Sequence, residues 1–223
     1  MTNKLKIVIP ATSWFLIAAM SLYSVKAQAA HKHSTPVPAV SGRAAYATGL
    51  AAYARRHFTS AGKDFRAAAA RGFAPAQYKL GLMYYLGLGV PTNYSQAAHW
   101  FQLSATRGFA RAQYSLSLLY AEGQGVPRNY ARALHWDRLA VAQGSARAAG
   151  ALGLMYFRGQ GVPRNYVKAY QWTELAQSQG VGVTRNIATG FLHQMAEYMT
   201  PGQIAKAQRA MQAWRAAHPH PRR

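Results

Sequence analysis

The chain has no cysteine among its 223 residues, and only five acids stand against 26 lysines and arginines. Without cysteine there are no disulfides, no thiolate metal sites, no cysteine nucleophile and no cysteine for lipid attachment. The acids are Asp64, Glu122, Asp137, Glu174 and Glu197, far apart in sequence. Paired-carboxylate catalysis and oxygen-ligand metal cages therefore start with little support. No HExxH, Gly-x-Ser-x-Gly, phosphate-loop or dinucleotide glycine motif is present either. The Gly-x-Gly pairs lead into Val-Pro rather than into a helix start that could face a phosphate. No nucleophile–base–orienter set is visible, so neither catalysis nor a cofactor is expected.

What remains is a strongly basic chain, formally +21, that is still half hydrophobic. That is too apolar for a disordered polycation. At its start, Lys4 and Lys6 precede an uncharged stretch from Ile7 to Val25, then the small-x-small pattern Ala27-Gln28-Ala29. This predicts a secretory signal peptide over 1–29, cut after Ala29, and an exported protein, periplasmic or secreted. An uncleaved anchor is the alternative. Membrane contact is otherwise expected only in passing, through the signal peptide. Residues 30–40, with Pro36 and Pro38, read as an extended linker. His31 and His33 within it are expected to be solvated rather than metal ligands.

A 36-residue period dominates the rest. Leu80, Leu116 and Leu152 are in register, as are Tyr84, Tyr120 and Tyr156, and Trp100, Trp136 and Trp172. The block Gly87-Leu88-Gly89-Val90-Pro91-Thr92-Asn93-Tyr94 recurs from Gly123 to Tyr130 and from Gly159 to Tyr166. Each copy predicts helix, turn, helix. Gly87, Gly123 and Gly159 suit the left-handed end of a first helix. Gly89, Gly125 and Gly161 permit a tight turn, and Val90 can plug the gap between the helices. Asn93, Asn129 and Asn165 are N-caps of the second helices. The tryptophan ladder reads as core, and Gln171 breaks the series begun by His99 and His135, which argues against a histidine metal ladder.

These residues resemble the Sel1-like repeat, a relative of the tetratricopeptide repeat, over 74–109, 110–145 and 146–181. The resemblance implies an all-α, right-handed α-solenoid of antiparallel hairpins with an adaptor or regulatory role in envelope processes. Three departures stand out. Ser117 replaces the glycine found at Gly81, Gly150 replaces the tyrosine found at Tyr78 and Tyr114, and asparagine replaces the usual acid before the second helix. A degenerate copy lacking the glycine turn is expected over 41–73. A C-terminal helical cap is expected over 182–217, with a helix from Thr184 to about Met199, a Thr200-Pro201-Gly202-Gln203 capping box and a last helix to about Ala217. Residues 218–223 read as a tail.

By analogy with tetratricopeptide repeats, the inner face is lined by Tyr46, Leu50 and Tyr53, then Tyr78, Leu82 and Tyr85. Tyr114 and Leu118 follow, with Ala121, and then Leu154 and Phe157 beside Gly150. Arg43, Arg111 and Arg147 edge it, with Pro75 at the same position. Such an aromatic and leucine stripe suits a protein or peptide partner. The competing expectations are that these side chains are only packing, or that the C-terminal tail covers them. The charge offers a second class of partner, an acidic polysaccharide or envelope surface. Nucleic acid is not expected for an exported protein. The scarcity of acids also suggests a working medium of low pH, since acid unfolding is mainly the protonation of carboxylates held in the native state.

Overall fold

The computed structural model describes residues 39–217, and the expected signal peptide, nearly all of the linker and the tail lie outside them. Ten helices run in order: α1 Ala39–Ala54, α2 Phe58–Ala70, α3 Ala74–Leu86, α4 Tyr94–Thr106 and α5 Ala110–Glu122. They continue with α6 Tyr130–Ala142, α7 Ala146–Arg158, α8 Tyr166–Gln179, α9 Val183–Ala196 and α10 Pro201–Ala217. Among the described residues there is no strand, and no helix is long and apolar enough to cross a membrane. Consecutive helices from α1 to α9 pack on one another in a chain of hairpins, an all-α solenoid.

The turns show why each hairpin forms. Gly87, Gly123 and Gly159 end α3, α5 and α7 in the left-handed region, at φ 70°, 75° and 72°. Asn93, Asn129 and Asn165 then accept a hydrogen bond from the backbone N–H three residues on, at 2.9, 3.0 and 2.9 Å. Each satisfies one donor that the first turn of a helix leaves orphaned.

The second glycine of each turn has a further duty in stacking. A Cβ on Gly125 would come 2.2 Å from the Tyr94 carbonyl carbon, and one on Gly161 would come 2.6 Å from the Tyr130 Cβ. Each turn therefore lies against the start of the preceding repeat's second helix. Ser95 Oγ adds a hydrogen bond to the Gly125 carbonyl at 3.2 Å.

The core is built of small residues at the crossings and larger ones between them. Phe101, Leu116, Leu119, Leu152 and Leu175 are buried in one cluster that runs through the repeats, with Ala97, Ala112, Ala133 and Ala148 where helices approach closely. Trp100, Trp136 and Trp172 lean half-buried against these clusters, and so do Val90, Val126 and Val162. Two buried glutamines tie repeats together: Gln77 Nε2 donates to the Ala69 carbonyl, and Gln113 Nε2 to that of Ala105, both at 3.2 Å.

The two ends differ from the middle. α1 opens at Ala39, two residues before the start expected for the first copy, and Arg56 turns it into α2 at φ 62° with no glycine pair. At the other end α9 stops at Ala196, short of Met199. The capping box is reciprocal: Thr200 N–H donates to Gln203 Oε1 at 2.9 Å, and Gln203 N–H to Thr200 Oγ1 at 3.3 Å. α10 does not pair with α9 as a repeat hairpin would. It lies on α8, where Met211 is buried and Trp214 meets Trp172 edge-on at 6.1 Å. Ala207 and Met211 spaced by one helical turn give α10 its apolar side, which lies mainly on α8, with Ala207 also in the cluster that holds Leu192 and Met195 of α9.

Candidate functional site

The first helices of the hairpins present one repeating face. On it Tyr46, Leu50, Tyr53, Tyr78, Leu82, Tyr85, Tyr114, Leu118, Leu154 and Phe157 are all half-buried, while Arg111 and Arg147 are exposed. The aromatic rings have one flank in contact with their own repeat or, for Phe157, with α9. Tyr46 meets Phe73 at 5.1 Å and Tyr53 meets Phe58 at 5.3 Å; Tyr78 meets Phe109 at 5.2 Å. Tyr85 meets Tyr94 at 5.4 Å, and Phe157 meets Phe191 at 5.2 Å. Packing therefore holds these side chains without hiding them.

Four of these residues come together around a hollow of about 670 Å³ between α5, α7 and α9: Tyr114, Leu118, Arg147 and Leu154. An adjoining hollow of about 520 Å³ is lined by Tyr78, Arg111 and again Arg147. Tyr46, Leu50, Tyr53, Leu82, Tyr85 and Phe157 line neither. No residue of α10 lines either hollow, and the C-terminal tail, the expected alternative cover, lies outside the described residues.

The far wall of the larger hollow comes from α9, through Val183, Ile187 and Phe191. The sequence reading did not assign these residues to the site. Their signal was a spacing of four just beyond the last repeat. Val183 and Ile187 are 73% and 67% exposed, which is unusual for large apolar residues and leaves that wall open to a partner.

The electrostatics of the face combine its two arginines with the acids Asp137 and Glu122. Burial raises the pKa of Tyr46, and the Arg111 charge opposes that rise. Burial and Arg111 together lower the pKa of Lys79. Burial raises Tyr114 as well, Asp137 and Glu122 add to the rise, and Arg147 pulls the other way. Both arginines are thus felt by the groove tyrosines.

Beneath Tyr114 lies a buried acid that sequence reasoning passed over as one of five scattered carboxylates. Asp137 is 1% exposed, and burial pushes its carboxyl up to about 8. Ser117 Oγ is 2.5 Å from Asp137 Oδ1 and 2.8 Å from the Tyr114 carbonyl oxygen. One hydroxyl proton serves only one of these acceptors. A neutral Asp137 resolves the conflict: its carboxyl proton goes to Ser117 Oγ, and the Ser117 hydroxyl donates to the Tyr114 carbonyl. The same register holds Gly81 and Phe101 in the first repeat, and Gly153 and Thr173 in the third. A Cβ on Gly81 would come 2.4 Å from the Phe101 ring, and one on Gly153 would come 2.3 Å from Thr173 Oγ1. In the second repeat the contact is instead a hydrogen bond between a serine and an aspartate. The signal available in the sequence was that both members of this contacting pair change in the same copy.

Among the described residues no cluster of histidine, aspartate or glutamate is placed to hold a metal ion. His99 and His135 instead stand edge-on to Trp100 and Trp136.

The Sel1 repeat family model matches residues 74–109, 110–145 and 146–181, and this segment of the chain belongs to that family. Among solved structures, the chain is similar to a Sel1 repeat protein from Oxalobacter formigenes, with 32% identity and a TM-score of 0.60. That match covers 66% of this chain and 59% of the other. It is also similar to c5321, described as a protective antigen present in uropathogenic Escherichia coli strains displaying an SLR fold. There the identity is 35%, the TM-score 0.59, and the match covers 70% of this chain and 38% of the other. The chain therefore spans less than two thirds of the length of either. No curated protein matches it.

Proposed function

We propose that this chain is an exported, non-catalytic scaffold that captures a protein or peptide partner on the face formed by its first helices. The observation that carries this reading is the open hollow bounded by Tyr114, Leu118, Leu154 and Arg147, continued by exposed apolar residues of α9. Sel1 repeats typically serve as interaction scaffolds. A preformed, mostly apolar cleft with an arginine at its edge has the composition of a binding hot spot. The export signal read in residues 1–29 supports an envelope or secreted partner.

The test is affinity capture from the host's own envelope extract. Replacing Tyr78, Leu82 and Tyr114 by Ser should abolish capture while the far-ultraviolet circular dichroism stays helical. Loss of helicity in that variant would assign the stripe to packing instead.

The second reading, a binder of acidic polymers, draws on a different surface. Arg128, Arg132, Arg164 and Lys168 are exposed beside the turns, each held over a tyrosine ring at 5.4–5.9 Å. A salt titration separates the two, because polyanion binding falls steeply with salt and insertion of apolar side chains does not.

A further inference from the structure

The larger hollow is lined by Gly150, a position where the third repeat departs from the first two. Tyr78 and Tyr114 stand in a register that Gly150 holds in the third repeat. Other glycines of the first helices have a steric reason. Gly81 and Gly153 leave no room for a Cβ, as the 2.4 and 2.3 Å approaches of their neighbours show. Gly150 has none. A Cβ there would meet only the Ala176 Cβ at 3.7 Å, an ordinary contact, and its φ is not positive. Glycine is also a poor residue for the middle of a helix. Neither space nor backbone geometry asks for it.

What the missing side chain leaves is space. The hollow, about 670 Å³, falls within the usual range of about 300–1000 Å³ for a preformed ligand site. Its apolar walls are Leu118, Leu154, Ile187 and Phe191. Its edge is basic: Arg147 lines this hollow and the adjoining one, where Arg111 joins it. No acid lines either hollow. Asp137 below is buried, and Glu122 lies one turn past Leu118, at the opposite end of α5 from Arg111. An apolar cavity edged by Arg147, with Arg111 in the adjoining hollow, on a chain of net charge +21 complements a partner that combines an apolar anchor with negative charge.

We propose that the hollow left by Gly150 receives one bulky apolar side chain, aromatic or long aliphatic, from a short acidic segment of a partner protein, whose neighbouring carboxylates pair with Arg111 and Arg147. The inference rests on the inner-face reading above and narrows it to one subsite and one peptide chemistry.

The experiment measures fluorescence anisotropy of three labelled peptides with the full chain: Ser-Glu-Asp-Phe-Glu-Ser, the same peptide with Ala for Phe, and the same with Lys for each acid. The phenylalanine peptide should bind at least about tenfold more tightly than either of the others. Gly150→Tyr restores the residue of the other repeats and fills the hollow. It should weaken the phenylalanine peptide at least about tenfold with an unchanged or higher melting temperature. Gly150→Ala, adding one methyl group, should keep affinity within about threefold. Arg147→Glu should weaken it as much as Gly150→Tyr does. Equal affinity for the phenylalanine and alanine peptides, unchanged affinity in Gly150→Tyr, or no saturable binding by any peptide overturns the proposal. The envelope partner separates the two levels of the account. If Gly150→Tyr retains that partner while the Tyr78, Leu82 and Tyr114 serine variant loses it, the subsite falls and the inner-face reading stands. Retention by both variants removes the inner-face reading itself.

Discussion

The second and third repeats share the turn block, the asparagine caps and the left-handed glycines, and they differ where their first helices face inward. The second repeat has Tyr114 on its inner face and the Ser117–Asp137 pair behind it. The third has Gly150 and the Gly153–Thr173 pair. Where the two agree, the contacts join one repeat to the next or close a hairpin, and the same geometry is reproduced 36 residues on. Where they differ, one copy gains a buried acid and the other a hollow. The repeated positions thus account for the solenoid, and the unrepeated ones give this chain a face of its own.

The largest expected effect breaks a shared position. Gly125 combines a φ of 69° with a Cβ path blocked by the Tyr94 backbone at 2.2 Å. Gly125→Ala should destabilise the chain by about 2–5 kcal/mol, from left-handed strain and overpacking together. Thermal or urea unfolding checks this, and the same substitution at Gly150 gives the contrast.

The next effect belongs to the second repeat alone. The Asp137 carboxyl titrates at about 8 in the folded chain against 3.8 for its unperturbed form, with burial as the main cause. A raised acid is bound to its proton more tightly when folded. Its stabilising contribution is therefore full below about pH 4, declines as the pH rises through the interval, and is gone above about 8. Acidification across that window should raise the melting temperature, opposite to the usual carboxylate case. Asp137→Asn keeps the shape and removes the titration, so the difference in melting temperature between pH 9 and pH 6 should shrink relative to the parent chain.

Two smaller effects complete the series. Asn129→Ala removes a shared cap whose side chain accepts from the Arg132 N–H at 3.0 Å, and should cost about 1 kcal/mol of unfolding free energy. Gly150→Ala, at an unshared position with room for a methyl group, should instead stabilise by about 0.5–1 kcal/mol. A glycine whose removal strengthens the fold is one whose reason lies outside folding.

The fold was legible because a 36-residue period repeats its own evidence. Gly87, Asn93 and their copies each state the same turn, and Leu80, Leu116 and Leu152 the same core. Of the residues named for the inner face by analogy with tetratricopeptide repeats, Tyr114, Leu118, Arg147 and Leu154 line the larger hollow and Arg111 the adjoining one. Val183, Ile187 and Phe191 were missed because α9 lies beyond the repeats, where register no longer points. The burial of Asp137 was missed because a lone acid is read as exposed unless its contact partner is known, and Ser117 lies 20 residues away on another helix. The end of the solenoid was also opaque: α10 settles mainly on α8, through an apolar side that includes Ala207 and Met211.

The central claim is that the site lies where the repeats disagree. Its most direct test is the affinity of the chain's captured partner for Gly150→Tyr relative to the parent chain, with melting temperature measured alongside. The account predicts affinity at least about tenfold weaker at an unchanged or higher melting temperature. Equal affinity at equal stability would contradict it.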